Sequence, residues 1–463
     1  MKVTLVFSGG GANGFRSAGK GMSGGWIGHG LALLAACTRQ EGHDVNLIDR
    51  RALRDWEHFR QEVKSRAPDV AGFSVLSVDY NPAMKGIELV KELNPKAITV
   101  VGGPHPSLAP DELLSNPLVD HVVIGEGEIS FVEMLHKFQR GQKVDRLIHG
   151  ERPDLDQLPF ADRDIYLNEW RKAGYDYDSP EAPLSAETAP PFVTVIAGRG
   201  CRYNCSFCKP GEDIIFGKKV RRRSVSHVMA ELRQLREKYH FNTLMIHDDC
   251  LTEDRAWVSE FCDAYQAQGF SQPFWCQARV DHVVKYEDMI KRMADVGLEG
   301  LFLGFESGSD RVLRFIRKGT TVAKNLEAAR ICRNYGIRIW ANYMLGLPTE
   351  TEDEIRETIA MLKEIDPDYY SSAFYTPYPG NDLYDYCMEH DLSLITSHDS
   401  YSRNPTEPKI KGHDPEFLRW AVGESQRRRL RNAVKRKSKY YLRRYASPRK
   451  LRRKIGSMIS AQV

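Results

Sequence analysis

Residues 198–208 read GRGCRYNCSFC and place three of the chain's nine cysteines, Cys201, Cys205 and Cys208, within eight positions. Isolated cysteines are mostly small buried hydrophobes. Cys37, Cys250, Cys262, Cys276, Cys332 and Cys387 show no ligand-like spacing and fit that description. Three in one Gly-, Arg- and Asn-containing loop do not. A structural zinc site wants a fourth nearby Cys or His, and the loop offers none. Iron–sulfur ligation by thiolates fits better: three ligands hold a 4Fe–4S cluster and leave one iron open to an exogenous ligand.

The loop follows the run FVTVIAG (192–198), which opens a series of β-rich runs: NTLMIHD (242–248), PFWCQAR (273–279), GLFLGFE (300–306), RIWANYMLG (338–346) and YYSSAFYTP (369–377). Helical periodicity lies between them, as at Val228, Leu232, Leu235 and Tyr239, and at Met289, Met293 and Val296 before a helix-stopping Gly297. Six βα units predict a partial (β/α)6 barrel over 191–385, with its chemistry at the carboxyl ends of the strands. The first 145 residues alternate in the same way through KVTLVFS, HDVNLID, DVAGFSVL, AITVVGG and HVVIGEGE. They predict a doubly wound, Rossmann-like α/β domain with a parallel sheet. Residues 146–190, proline-rich and weakly periodic, read as a linker. Residues 386–463 form an extension ending in a basic, helical tail.

At 463 residues, with 41% hydrophobic and 28% charged, the composition is that of a soluble globular protein of two or three domains. The net charge of +4 conceals an asymmetry: fifteen Lys or Arg and no Asp or Glu lie between Arg427 and Lys454. Without them 51 basic residues face 62 acidic ones, so the body carries about −11 and does not look like a nucleic-acid binder. The tail interleaves Tyr440, Tyr441, Leu442, Tyr445, Leu451 and Ile455 with its cations. That pattern reads as a solvated helix, as an anionic membrane surface binder or, third, as an RNA binder. An odd cysteine count and an N-terminus without signal-peptide layout point to the reducing cytoplasm, with a peripheral membrane location as the tail's alternative.

CRYNCSFC resembles the CxxxCxxC loop of the radical S-adenosylmethionine (SAM) superfamily, including the aromatic Phe207 before the last cysteine. The resemblance implies a 4Fe–4S cluster on Cys201, Cys205 and Cys208, its open iron chelated by SAM, which yields a 5′-deoxyadenosyl radical on electron transfer from an external donor. It also implies SAM contacts at Phe207, at Asp248 and Asp249 of MIHDDCLT, at Arg279 of CQARVD, and at Glu306 and Ser307 of GFESGSDRVL. NYMLGLPTET and FYTPYPGNDLY are similar to later segments of the superfamily, and Tyr375 and Tyr378 are candidates for the substrate space.

The loop GGGANGFRSAGKGMSGG (9–25) matches several phosphate- and nucleotide-binding patterns only because it is so glycine-rich. Its P-loop match has Gly21 where Ser or Thr should stand, and its dinucleotide match lacks a helix after Gly14. GFSVLSVDY, VGGPHPSLAPDELL and VVIGEGEISFVEML instead resemble the cobalamin-binding domain that precedes the cysteine loop in one large radical SAM class. That implies cobalamin contacts at Ser74, Ser77, Gly102, Gly103, His105 and Glu126. The DxHxxG motif that supplies a cobalt-ligating histidine is missing; His29 in WIGHGLALL has neither its Asp nor its final Gly. The pair of cofactors implies methylation of an unactivated carbon of a small-molecule or lipid-linked substrate. A cyclisation or rearrangement without methyl transfer, and a non-enzymatic cobalamin or redox sensor, are the alternatives. A methylthiotransferase would need three more cysteines in the first domain, where only Cys37 lies.

Overall fold

A computed structural model describes residues 1–9, 14–18, 26–175, 191–401, 407–428, 431, 432 and 434. Most of the glycine-rich loop and nearly all of the basic tail lie outside the described residues.

The first sheet is built from β1 (Lys2–Phe7), β2 (Asp44–Asp49), β3 (Val70–Ser74), β4 (Ile98–Gly102), β5 (His121–Ile124) and β6 (Leu147–His149). They are parallel throughout, in the order β2-β1-β3-β4-β5-β6. Successive strand residues face opposite sides, and both sides are buried. Val3, Leu5, Val45, Leu47, Val70, Val100 and Val123 meet Leu31, Phe131 and Trp170 on one side. Val6, Ile48, Phe73, Val101 and Val122 meet Phe59, Val63, Ile87 and Val90 on the other. The strands therefore read as near-continuous apolar runs, the signature of a doubly wound domain.

The segment expected to be a linker is structured where it is described. Leu147–His149 pairs with β5 as a sixth strand. Helix Asp164–Lys172 packs Ile165, Tyr166, Leu167 and Trp170 onto the first sheet. Trp170 donates its indole N–H to Asp49 Oδ2 at 2.8 Å, an oxygen that also accepts from Arg51 at 2.8 Å. The first unit thus extends well past residue 145.

The second sheet contains β7 (Phe192–Val195), β10 (Thr243–Ile246), β11 (Phe274–Ala278), β12 (Leu298–Glu306), β13 (Arg338–Leu345) and β14 (Tyr369–Phe374). It is parallel, in the order β14-β13-β12-β11-β10-β7. Between β7 and β10, β8 (Gly198–Arg199) and β9 (Arg221–Arg222) form a small antiparallel pair around the cysteine loop. Six parallel strands in sequential order make an open partial barrel. Its floor is an aromatic layer: Trp275, Phe302, Trp340 and Tyr369 follow one another at 5.7, 5.1 and 4.8 Å between ring centroids. Gly300 is required there, because a Cβ would come within 2.3 Å of the Trp275 ring.

The extension begins against the barrel. Helix Pro415–Ser425 buries Leu418 and Ala421 in the barrel core, and the hydroxyls of Tyr343 and Ser425 lie 2.6 Å apart. Among the described residues no helix is long and apolar enough to cross a membrane.

Candidate functional site

The cysteine loop is held at the mouth of the barrel by its neighbours. Asp248, at the end of β10, accepts the backbone N–H of Ala197 at 2.7 Å and Nη1 of Arg222 at 2.9 Å. It is buried, and these bonds make its carboxylate a strut that positions the loop between β7 and β9. Lys209 donates to the carbonyl of Cys201 at 2.7 Å, and Ser206 N–H to the carbonyl of Ile316 at 3.0 Å. Cys205 is buried. Burial pushes the Cys201 thiol up to about 11. Cys208 is exposed, and desolvation by the surrounding protein, followed by the charge of neighbouring Cys205, raises its thiol. Thiols so desolvated ionise against a cation, which a bound metal supplies. The three sulfurs are not gathered within 4.8 Å of one another as one tetrahedral ion would need. A four-iron cube spreads its ligands more widely, and three thiolates are the donors it takes.

Cations flank the loop. Arg279, directly after β11, has Nη1 3.7 Å from Cys205 Sγ and its guanidinium 3.6 Å from the Tyr203 ring centroid, and is held by Asp281 at 2.9 Å. Glu306 ends β12 at φ +62°, where the β12–β13 register shifts. Its Oε1 accepts from Lys318 Nζ at 2.7 Å. This pair lies over Gly304, where a Cβ would come within 2.4 Å of Glu306 and 2.6 Å of Lys318. Lys318 also stands 5.7 Å from the Phe207 ring centroid. Ser307 is wholly buried; its hydroxyl accepts the Ser309 N–H at 3.1 Å and meets Thr358 at 3.3 Å, so it supports the turn from inside. Sequence reasoning missed Lys318, which is twelve positions from Glu306 and outside any recognised motif.

Beside the loop lies a cavity of about 410 Å³ with contributions from both domains. Ser74, Gly102, Gly103 and Glu126 line it from the carboxyl ends of the first sheet's strands, and Gly198, Arg199, His247 and Asp249 from the barrel. Asp249 faces this cavity, and its carboxyl is pushed up to about 6 by desolvation and then by Asp248. A Cβ placed on Gly30 or Gly127, both on the cavity wall, would meet no protein atom within 4 Å and would project into open space. Those open glycine positions suit close approach by a large flat ligand such as a corrin.

His29 also lines the cavity, but its Nε2 is 2.7 Å from Thr194 Oγ1, and burial followed by the charge of Arg163 keeps the ring neutral. Glu126 reaches the cavity but is ion-paired to both Arg199 and Arg221. Arg199 also holds Glu128 at 2.6 Å. These pairs clamp the cysteine-loop sheet to the first domain.

Two expected cobalamin contacts are elsewhere. Ser77 and His105 bond to each other at 3.0 Å under helix Pro104–Leu108, outside the cavity lining. Of the two substrate-space tyrosines, Tyr375 is buried in a satellite core with Leu383 and Cys387, and Tyr378 stacks on Tyr401.

Residues 23–135 match the B12 binding domain family and residues 195–362 the Radical SAM superfamily. The chain therefore joins a B12-binding domain to a radical SAM domain in that order. An uncharacterised methyltransferase of Pyrococcus horikoshii is 28% identical over 400 residues, covering 82% of this chain and 83% of its own. The anaerobic magnesium-protoporphyrin IX monomethyl ester cyclase of Rubrivivax gelatinosus is 26% identical over 390 residues, covering 80% of this chain and 68% of the cyclase. The hopanoid C-3 methylase of Methylococcus capsulatus is 27% identical over 370 residues, covering 76% and 67%. Among solved structures, the radical SAM methyltransferase TsrM of Kitasatospora setae, with cobalamin and a [4Fe-4S] cluster bound, superposes with TM-score 0.64 at 15% identity, covering 92% of this chain and 88% of TsrM. The cobalamin-dependent SAM radical enzyme OxsB, with aqua-cobalamin bound, gives 0.62 at 20% identity over 84% of this chain. The present chain spans only 55% of OxsB.

Proposed function

We propose that this protein is a cobalamin-dependent radical SAM methyltransferase acting on an unactivated carbon of a small-molecule substrate. The observation that carries the reading is the shared cavity, walled by glycines of the cobalamin-type domain on one side and by residues flanking the cysteine loop on the other. Bound there, the cluster with SAM supplies hydrogen abstraction, and cobalamin supplies a transferable methyl group.

The residues divide that work. Cys201, Cys205 and Cys208 hold the cluster. Arg279 and Lys318 place positive charge beside Cys205, offsetting the thiolates of a desolvated site. Asp249, facing the cavity, is the carboxylate for the ammonium of SAM, a role that Asp248 cannot fill. Gly30, Gly102, Gly103 and Gly127 form the corrin wall. His29, which lacks the usual cobalt-ligand motif, would be held by Thr194 through its Nε2 and not offered to a bound corrin from that nitrogen. All nine cysteines are free, which suits a cytoplasmic enzyme fed by an external electron donor. Membrane docking and a lipid-linked substrate rest on tail residues outside the described ones.

The test is anaerobic reconstitution with iron, sulfide and hydroxocobalamin, followed by reduction in the presence of SAM. About four irons and one corrin per chain, with 5′-deoxyadenosine and S-adenosylhomocysteine both formed during turnover, are expected. The relatives named as cyclases favour a second reading. In that case 5′-deoxyadenosine would form without S-adenosylhomocysteine and the product would carry no added methyl group.

A further inference from the structure

His105, excluded from the cavity, belongs to a different constellation. It sits on helix Pro104–Leu108, Glu112 on helix Pro110–Leu114, and His398 in the turn His398–Ser400 of the extension. One ligand atom from each lies within 4.8 Å of the other two, and among the described residues they are the only His, Cys, Asp or Glu trio so gathered. Glu112 Oε2 is 2.9 Å from His398 Nε2 and 3.5 Å from His105 Nε2.

His105 is 1% exposed, and its Nε2 has no hydrogen-bond partner although it points at the carboxylate. Its other nitrogen is held by Ser77 Oγ at 3.0 Å. That is the arrangement of a metal-ligating histidine, in which the outer partner accepts a hydrogen bond from Nδ1–H and so presents the Nε2 lone pair. Tyr80 stacks on the His398 ring at 3.8 Å between centroids and meets His105 edge-on at 5.3 Å, fixing both rings. A simple His398–Glu112 ion pair would account for the 2.9 Å contact but leaves the buried His105 nitrogen only a long 3.5 Å approach to the same carboxylate oxygen. A cation in the middle satisfies all three.

We propose that His105, Glu112 and His398 form a zinc site that pins the segment after the barrel to the cobalamin-type domain. Two imidazoles and one carboxylate suit zinc by ligand type, and Glu112, 45% exposed along its side chain, leaves room for water as the fourth ligand. The lock is reinforced by Asn81, which donates to Asp399 at 2.7 Å, and by the stacking of Tyr401 on Tyr378. The site thus joins the first domain, the loop leaving β14 and the extension. It does not depend on the reaction proposed above.

The experiment is performed on the full chain, purified anaerobically with its iron–sulfur cluster and dialysed against Zn2+. Zinc and iron are counted per chain, and the zinc edge is read by X-ray absorption. The expected result is one zinc with only nitrogen and oxygen neighbours, at about 2.0–2.2 Å. Glu112→Gln and His398→Asn should each lower bound zinc at least tenfold while the iron count stays at the parent's value. Background zinc in the parent chain, zinc retained by both variants, or a sulfur neighbour indicating metal in the cysteine loop would overturn the proposal. The spectrum of the parent chain decides the matter even where a variant fails to fold.

Discussion

Glu354 ties the loops after β12 and β13 together, and its replacement has a calculable effect. The carboxylate accepts from Arg311 twice, at 2.6 Å through Nε and 2.6 Å through Nη2, from Ser309 Oγ at 2.9 Å and from Thr351 N–H at 2.9 Å. With Thr351 it forms the capping box of helix Glu352–Ile365. The Arg311 hydrogen bonds foremost, and the capping N–H after them, hold its carboxyl at about 2 against an ordinary 4.5. Each tenfold change in proton affinity is worth about 1.4 kcal/mol, so holding the carboxylate this strongly amounts to about 3 kcal/mol. Arg311 is 46% exposed, and screening on that side lowers the figure to about 2 kcal/mol.

The sign follows from the depressed value. The stabilisation is fully present above the unfolded pKa of 4.5 and is lost as pH falls towards 2. Glu354→Gln should therefore cost about 2 kcal/mol at pH 7, measured by urea unfolding of cluster-free protein through the barrel tryptophans. The gap to the parent chain should close between pH 4.5 and 2. Because residues 307–311 follow directly on Glu306, an expected SAM contact, the variant should also bind SAM more weakly at pH 7 with its iron content unchanged. A variant within about 0.5 kcal/mol of the parent at pH 7, or a gap as wide at pH 3 as at pH 7, would refute the reasoning.

Three further outcomes are expected. Serine at Cys201, Cys205 or Cys208 should each remove most of the reconstituted iron and its visible absorbance, whereas Cys262→Ser, in the barrel core, should keep the parent's iron count. Gly127→Trp, at a φ of −98° open to any residue, should lower retained corrin at least tenfold and change stability by less than about 1 kcal/mol, read by corrin absorbance and thermal unfolding. Gly308→Ala should destabilise the barrel by at least about 1–3 kcal/mol, because its Cβ would lie 2.5 Å from the Glu357 carbonyl oxygen and from Thr358 Cα; urea unfolding measures it.

What the sequence discloses depends on how local the physics is. All eleven strands expected from the β-rich runs are present, because a strand buried on both faces must be apolar at nearly every position, as VTLVF in β1 and TLMI in β10 are. β6 escaped notice because three residues between polar neighbours give no periodicity. Helix Asp164–Lys172 was hidden in a proline-rich frame although Ile165, Tyr166, Leu167 and Trp170 mark its buried face.

For side chains the limit is sharper. Residue type and position at a strand end say that Asp248, Ser307 and Glu126 stand near the mouth, but not which hydrogen bonds already occupy them. Asp248 is taken by Ala197 and Arg222, Ser307 by its own turn, and Glu126 by arginines from the other domain. A polar atom in a protein interior is satisfied by whatever lies nearest in space. Partners far away in sequence therefore decide whether a carboxylate is a ligand or a strut. By that criterion Asp249 is the freer neighbour of a matched pair: Asp248 is sealed into the loop's scaffold, while Asp249 keeps a face on the cavity. The same criterion sets His105 apart from the cavity, since the groups that complete its environment, Ser77 and Glu112 from the first domain and His398 from the extension, are not among the residues that line it.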